Sequence, residues 1–128
     1  MTMRRPDGDA GAITLPLGFR GAAVAAGIKP DRLDLALIAA DTTCAAAGVF
    51  TGNRAVAAPV VVSREHVAGG RARAIVVNAG CANAATGDAG LRDAREMAAR
   101  AAAFSMVTAA TIRSSAAAAR KRCSAARA

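Results

Sequence analysis

Between Ala22 and Asn78 the apolar residues come in short segments rather than long ones, and this punctuation is what most constrains the fold. The segments "AAVAAGIK" (22–29), "LDLALIAA" (33–40), "CAAAGVFT" (44–51), "APVVVSREH" (58–66) and "RARAIVVN" (71–78) are separated by "KPD", "DTT", "GNR" and "AGG". Small and turn-forming residues of this kind end strands. Five short strands are therefore expected, in a largely antiparallel or mixed sheet. Within 33–40, Leu33, Leu35 and Leu37 fall on one face and Asp34, Ala36 and Ile38 on the other. Both faces are mostly apolar, as in a sheet covered on both sides.

After Asp88 the period changes. Leu91, Ala94, Ala98, Ala101 and Ala102 follow helical spacing, while Arg92, Asp93, Arg95, Glu96 and Arg100 take the remaining positions. One helix is expected over about 88–103. Asp88 is the expected N-cap, and Glu96 is placed to pair with Arg92 or Arg100 four residues away. Strands followed by a helix define an α/β class.

A chain of 128 residues allows one domain with a modest core. Apolar residues make up 54%, yet only 2% are aromatic, so the core is one of closely approaching backbones rather than large rings. Uncharged stretches such as Thr42 to Asn53 fall short of the roughly 20 apolar residues a membrane span requires. The opening "MTMRRPDGDAGAITLPLGF" has two arginines but no apolar run behind them that would make a secretory signal. A cytoplasmic protein with no membrane partner is expected. Cys44, Cys81 and Cys123 form no C-x-x-C and His66 is the only histidine, which points to no metal site and no disulfide framework.

A net charge of +8 ordinarily suggests an anionic partner. Its distribution argues otherwise. Residues 1–103 hold 12 basic and 9 acidic side chains, whereas 104–128 hold five basic and no acidic ones. The excess is concentrated in a terminal Arg/Ala/Ser-rich run without interleaved aromatics, so no nucleic-acid partner is expected. Residues 1–12 read as a mobile arm, 13–103 as the folded part and 104–128 as a basic tail.

The segment most suited to a ligand is "NAGCANAATG" (78–87), a loop of small residues between the last strand and the helix. Gly80 and Gly87 open backbone conformations closed to other residues, and Asn78, Asn83 and Thr86 are able to orient a polar ligand. Against this stands a simpler account, a tight crossover that needs small residues to pack. The spacing matches neither G-x-G-x-x-G nor G-x-x-x-x-G-K-[ST], so no nucleotide cofactor is indicated. His66 beside Cys44 or Cys81 would make a nucleophile and base pair, but no spacing supports it, and His66 is expected on an edge strand.

The segments "GFRGAAVAAGIK", "DLALIAAD", "CAAAGVFTGNRAVAAPVVVSREH" and "ARAIVVNAGCANAATGDAGLRDAREMA" together resemble, in order and spacing, the N-terminal part of the ornithine acetyltransferase family, also called glutamate N-acetyltransferase. The resemblance covers residues 13–103. It implies an α/β sandwich and acetyl transfer to glutamate in arginine biosynthesis, from N-acetylornithine and, in bifunctional members, from acetyl-CoA. It further implies self-cleavage at an Ala-Thr bond, a new N-terminal threonine as nucleophile with its own amine as base, no cofactor or metal, and a heterotetramer of cleaved chains.

The family's Ser-Thr-Gly-Val-Ile-Gly stretch, its Lys-Gly segment and its Met-Ala-Thr-Met-Leu cleavage site do not occur in these 128 residues. An Ala-Thr bond lies between Ala110 and Thr111, but without the flanking residues and with only 17 residues after it. No catalytic residue is therefore assigned, and Asn78 and Asn83 stand as candidate pocket-wall residues for substrate. The expectation is a fragment inactive by itself, its residues from Phe104 onward an out-of-frame translation, a diverged gene end or a natural truncation. A non-catalytic assembly partner of a separately encoded remainder is the alternative.

Overall fold

The computed structural model describes residues 16–104. The expected arm 1–12 and nearly all of the tail 104–128 lie outside the described residues. Five elements follow one another: β1 (Phe19–Val24), β2 (Leu35–Ala45), α1 (Ala58–Val67), β3 (Arg71–Asn78) and α2 (Gly87–Phe104). The strands form one sheet in the order β1-β2-β3, antiparallel at both pairings. The class is α/β as expected, but within the described residues the sheet has three strands rather than five and is not mixed.

Each departure has a local cause. "APVVVSREH" is helix α1, not a strand. Pro59 sits in its first turn, where a missing N–H costs nothing, and Arg64 and His66 in its last turn favour the negative end of the helix dipole. Three consecutive valines lower helix propensity only by tenths of a kcal/mol each, roughly, and the burial of Val62 outweighs that. His66 is accordingly an exposed helical residue, not an edge-strand one.

The segment 44–51 forms no separate strand, because β2 runs on through "DTT" to Ala45. A register break between Ala39 and Cys44 in its pairing with β3 lets the strand bend and continue. Arg73 fills the gap, with Nε donating to Ala40 O at 3.3 Å and Nη2 to Asp41 O at 3.1 Å. Beyond Ala45 the chain is irregular, with Val49 fully exposed and Phe50 under the Arg64 guanidinium at 5.5 Å.

β1 ends at Val24, short of the expected 29, and Leu33 is 67% exposed because β2 begins only at Leu35. The core cluster is Val24, Ala26 and Leu35, with Ala22, Leu37 and Val76 packed against it. All the strand residues of that cluster lie on one sheet face by the pairing register. α2 covers the end of β3 and packs on α1 through small buried residues, Ala94 and Ala101 among them. Glu65 joins the two helices by accepting from Arg95 at 3.1 Å, and Glu96 pairs with Arg100 as the spacing predicts.

Candidate functional site

The loop of small residues is built onto the sheet through one residue, Asp34. Its N–H donates to Val24 O at 3.1 Å and its carbonyl accepts from Ala79 N at 2.8 Å, so its backbone ties the end of β1 to the exit of β3. Its side chain is 3% exposed and accepts three backbone N–H groups, from Ala26 (2.5 Å), Ile28 (2.6 Å) and Lys29 (2.9 Å). Residues 25–33 therefore curl around a carboxylate. Gly27 at φ +81° and Asp31 at φ +53° take the left-handed conformations this curl needs.

Burial by itself would push the Asp34 carboxyl pKa up. The N–H groups of Lys29, Ala26, Ile28 and Asp34 itself more than offset that and hold it below the usual carboxylate range. A carboxylate so placed is charged at neutral pH and has its lone pairs occupied. It is a structural anion, unsuited to act as a base.

The curl carries Lys29 across the start of the loop. Gly80, at φ +101°, lies beneath it, and a Cβ added there would come within 2.7 Å of both Lys29 Cγ and Cε and 3.2 Å of Ile28 Cγ2. Asn78 at the end of β3 donates from Nδ2 to Cys81 O at 3.3 Å, closing the first turn of the loop.

Asn83, 8% exposed, is a staple between loop and helix. Its Nδ2 donates to Gly90 O at 2.8 Å and its Oδ1 accepts from Thr86 Oγ1 at 2.5 Å. A Cβ on Gly90 would overlap Thr86 Oγ1 and Asn83 Oδ1, so Gly90 is the space in which the staple sits. α2 begins at Gly87, which enters the helix at φ +58°, and the Thr86 carbonyl accepts from Gly90 N at 3.3 Å. Asp88, expected as the cap, stands instead inside the first turn, where its charge suits the helix dipole.

Of the two sequence candidates, Asn83 spends its amide within the fold, and Asn78, half-buried, uses one donor and keeps its carbonyl oxygen uncommitted by that bond. Sequence reasoning missed Lys29 and Asp34. The signal for Asp34 was available, since it is the one acidic residue inside an apolar alternation. The signal for Lys29 was not, because its approach to Gly80 joins positions some fifty residues apart. Among the described residues, no group of three His, Cys, Asp or Glu side chains is gathered to hold a metal ion.

A three-stranded antiparallel sheet with a helical layer and a small-residue loop at the sheet's end defines part of an α/β domain. The ArgJ family model matches residues 20–118, and the chain belongs to the ArgJ family. The arginine biosynthesis bifunctional protein ArgJ of Dehalococcoides mccartyi is 53% identical over 90 residues, 68% of this chain and 22% of that relative. Its counterpart from Geobacter sulfurreducens is 56% identical over 80 residues, 62% of this chain and 20% of the relative. Among solved structures, the ornithine acetyltransferase of Mycobacterium tuberculosis in complex with ornithine superposes with a TM-score of 0.68 at 51% identity, covering 73% of this chain and 50% of that one. The ArgJ of Bacillus halodurans gives 0.68 at 36% identity, over 76% and 50%. The chain thus spans about a fifth of the length of the curated relatives it matches.

Proposed function

We propose that this chain supplies the N-terminal part of an enzyme that transfers an acetyl group from N-acetylornithine to glutamate in arginine biosynthesis, with acetyl-CoA as a second donor in a bifunctional form. The observation that carries the reading is the 53% identity over 90 residues to a bifunctional arginine-biosynthesis protein. Its loop after β3 presents Asn78 and the Lys29 side chain beside small residues, a polar, cationic surface that suits an amino-acid ligand bearing a carboxylate. The complete enzyme works in the cytoplasm on small molecules, without cofactor, nucleic acid or membrane, as a heterotetramer of self-cleaved chains. Within the described residues no helix is long and apolar enough to cross a membrane.

The chain by itself is proposed to be inactive, since the described fold contains no activated nucleophile and the one carboxylate with a shifted pKa is sealed by N–H groups. A domain graft tests both statements. Residues 13–103 replace the matching segment of a full-length relative, and the chimera is expected to rescue an arginine-requiring host. The isolated chain, given N-acetylornithine and glutamate, is expected to give no acetylglutamate above background. A chimera that folds and self-cleaves yet lacks transfer activity overturns the first statement; turnover by the isolated chain overturns the second.

A further inference from the structure

Between β1 and β2 the chain leaves the sheet over residues 25–33, and the base of this excursion is closed by Asp34 N donating to Val24 O at 3.1 Å. The β1–β2 ladder stops at Val24 and Leu35, so no rung of the sheet holds the segment. Its outer side is exposed at Ala25, Gly27 and 30–33, while Ala26 and Ile28, 3% and 6% exposed, are buried on the inner side. What grips it is one carboxylate, Asp34, which accepts from the N–H groups of Ala26, Ile28 and Lys29.

Two residues in left-handed conformations bracket the tip of the segment. Gly27 stands at φ +81° and Asp31 at φ +53°, with Ile28, Lys29 and Pro30 between them. Pro30 fixes its own φ and keeps the backbone of Lys29 out of the helical region, so the tip is stiff and the bends on either side of it absorb any rotation. That tip rests on Gly80, since a Cβ added there would stand 2.7 Å from Lys29 Cγ and Cε and 3.2 Å from Ile28 Cγ2. Among the described residues no hydrogen bond or ion pair holds the Lys29 ammonium. Packing on Gly80 and the grip of Asp34 therefore retain the tip. Asp34 also borders the loop, its carbonyl accepting from Ala79 N at 2.8 Å.

We propose that residues 25–33 are a strap closed over the 78–83 loop, with Ile28 and Lys29 as its tip, Gly80 as its seat and Asp34 as its latch, and that strap and loop open in one step. The closed strap covers one side of Gly80, and the open strap leaves that side of the loop accessible. Every part of the device lies within residues 24–83. It depends neither on what covers the sheet in a longer chain nor on the acetyl-transfer reading.

The full 128-residue chain carrying Cys44→Ser and Cys123→Ser offers two reporters, hydrogen exchange at the Ala26, Ile28 and Lys29 amides for the strap and alkylation of the half-buried Cys81 thiol for the loop. Amides of the β2–β3 ladder report global unfolding alongside them. Lys29→Ala takes the tip off its seat and is expected to speed Cys81 alkylation by about threefold or more, with the circular dichroism unchanged. Gly80→Ala raises the seat and is expected to speed exchange of the strap amides by about tenfold, well beyond any change in the ladder amides. In the double variant the Ala26 and Ile28 amides should return to within about threefold of the parent. Asp34→Asn should speed both reporters together, and if that variant does not fold the other two decide. Strap amides indifferent to Gly80→Ala, or a Cys81 thiol indifferent to Lys29→Ala, overturn the proposal. So do changes that the ladder amides match in full, since those are global unfolding alone.

Discussion

Lys29 lies over Gly80 so closely that a Cβ on the glycine would sit 2.7 Å from both Cγ and Cε of the lysine. Gly80 also holds φ +101°, which side-chain-bearing residues rarely adopt. Gly80→Ala is therefore expected to cost about 2 kcal/mol, most of it conformational and part steric. In urea unfolding, adding Lys29→Ala should recover about 0.5 kcal/mol of that loss. Strict additivity of the two substitutions would mean that the lysine does not press on the glycine.

Asp34 makes the fold acid-sensitive. Its carboxyl pKa is lowered on folding, so the stability it contributes is full above the unfolded-state value of about 3.9 and is lost as pH falls through the folded value. Asp34→Asn leaves buried N–H groups facing an amide that accepts with only one atom, at an expected cost of about 3 kcal/mol. Thermal melts of the two proteins should differ most near neutral pH and draw together as pH falls below the unfolded-state value. A constant gap across that range would contradict the assignment.

Gly90 inverts a familiar rule. Alanine in place of glycine in a helix ordinarily stabilises by about 0.5–1 kcal/mol. Here the added methyl overlaps Thr86 Oγ1 and Asn83 Oδ1, so Gly90→Ala is expected to destabilise by about 2 kcal/mol or more. Asn83→Ala alone loses the bond to the Gly90 carbonyl and costs about 1–2 kcal/mol. The double variant should be less unstable than the sum of the two, as read by chemical denaturation.

The Glu65–Arg95 pair spans α1 and α2 at 3.1 Å with both side chains about half exposed. Solvent screens it, and Glu65→Gln is expected to cost less than about 0.5 kcal/mol, a difference that vanishes in 1 M salt or so. A larger, salt-insensitive loss would show that the helices depend on the pair rather than on Val62, Ala94 and Ala101.

Local periodicity and short-range chemistry sufficed for α2, for β3, for most of β2 and for the Glu96–Arg100 pair, because helical spacing and strand punctuation are properties of neighbouring residues. They also sufficed for the family, whose motifs lie in consecutive stretches between 18 and 98, almost all of them inside the 20–118 matched by the family model. α1 was illegible for a physical reason: three valines favour a strand locally, and only packing of Val62 and the turn started by Pro59 reverses that preference. The continuation of β2 through "DTT" likewise depended on Arg73, a residue on another strand. What tertiary structure alone decided was the use of the loop: Asn83 bound to Gly90 and Thr86, Lys29 laid on Gly80, and Asp34 gripping the turn before it. Burial and distance between residues far apart in the chain determine whether a polar side chain faces a ligand or is spent on the fold, and no spacing along the sequence contains that information.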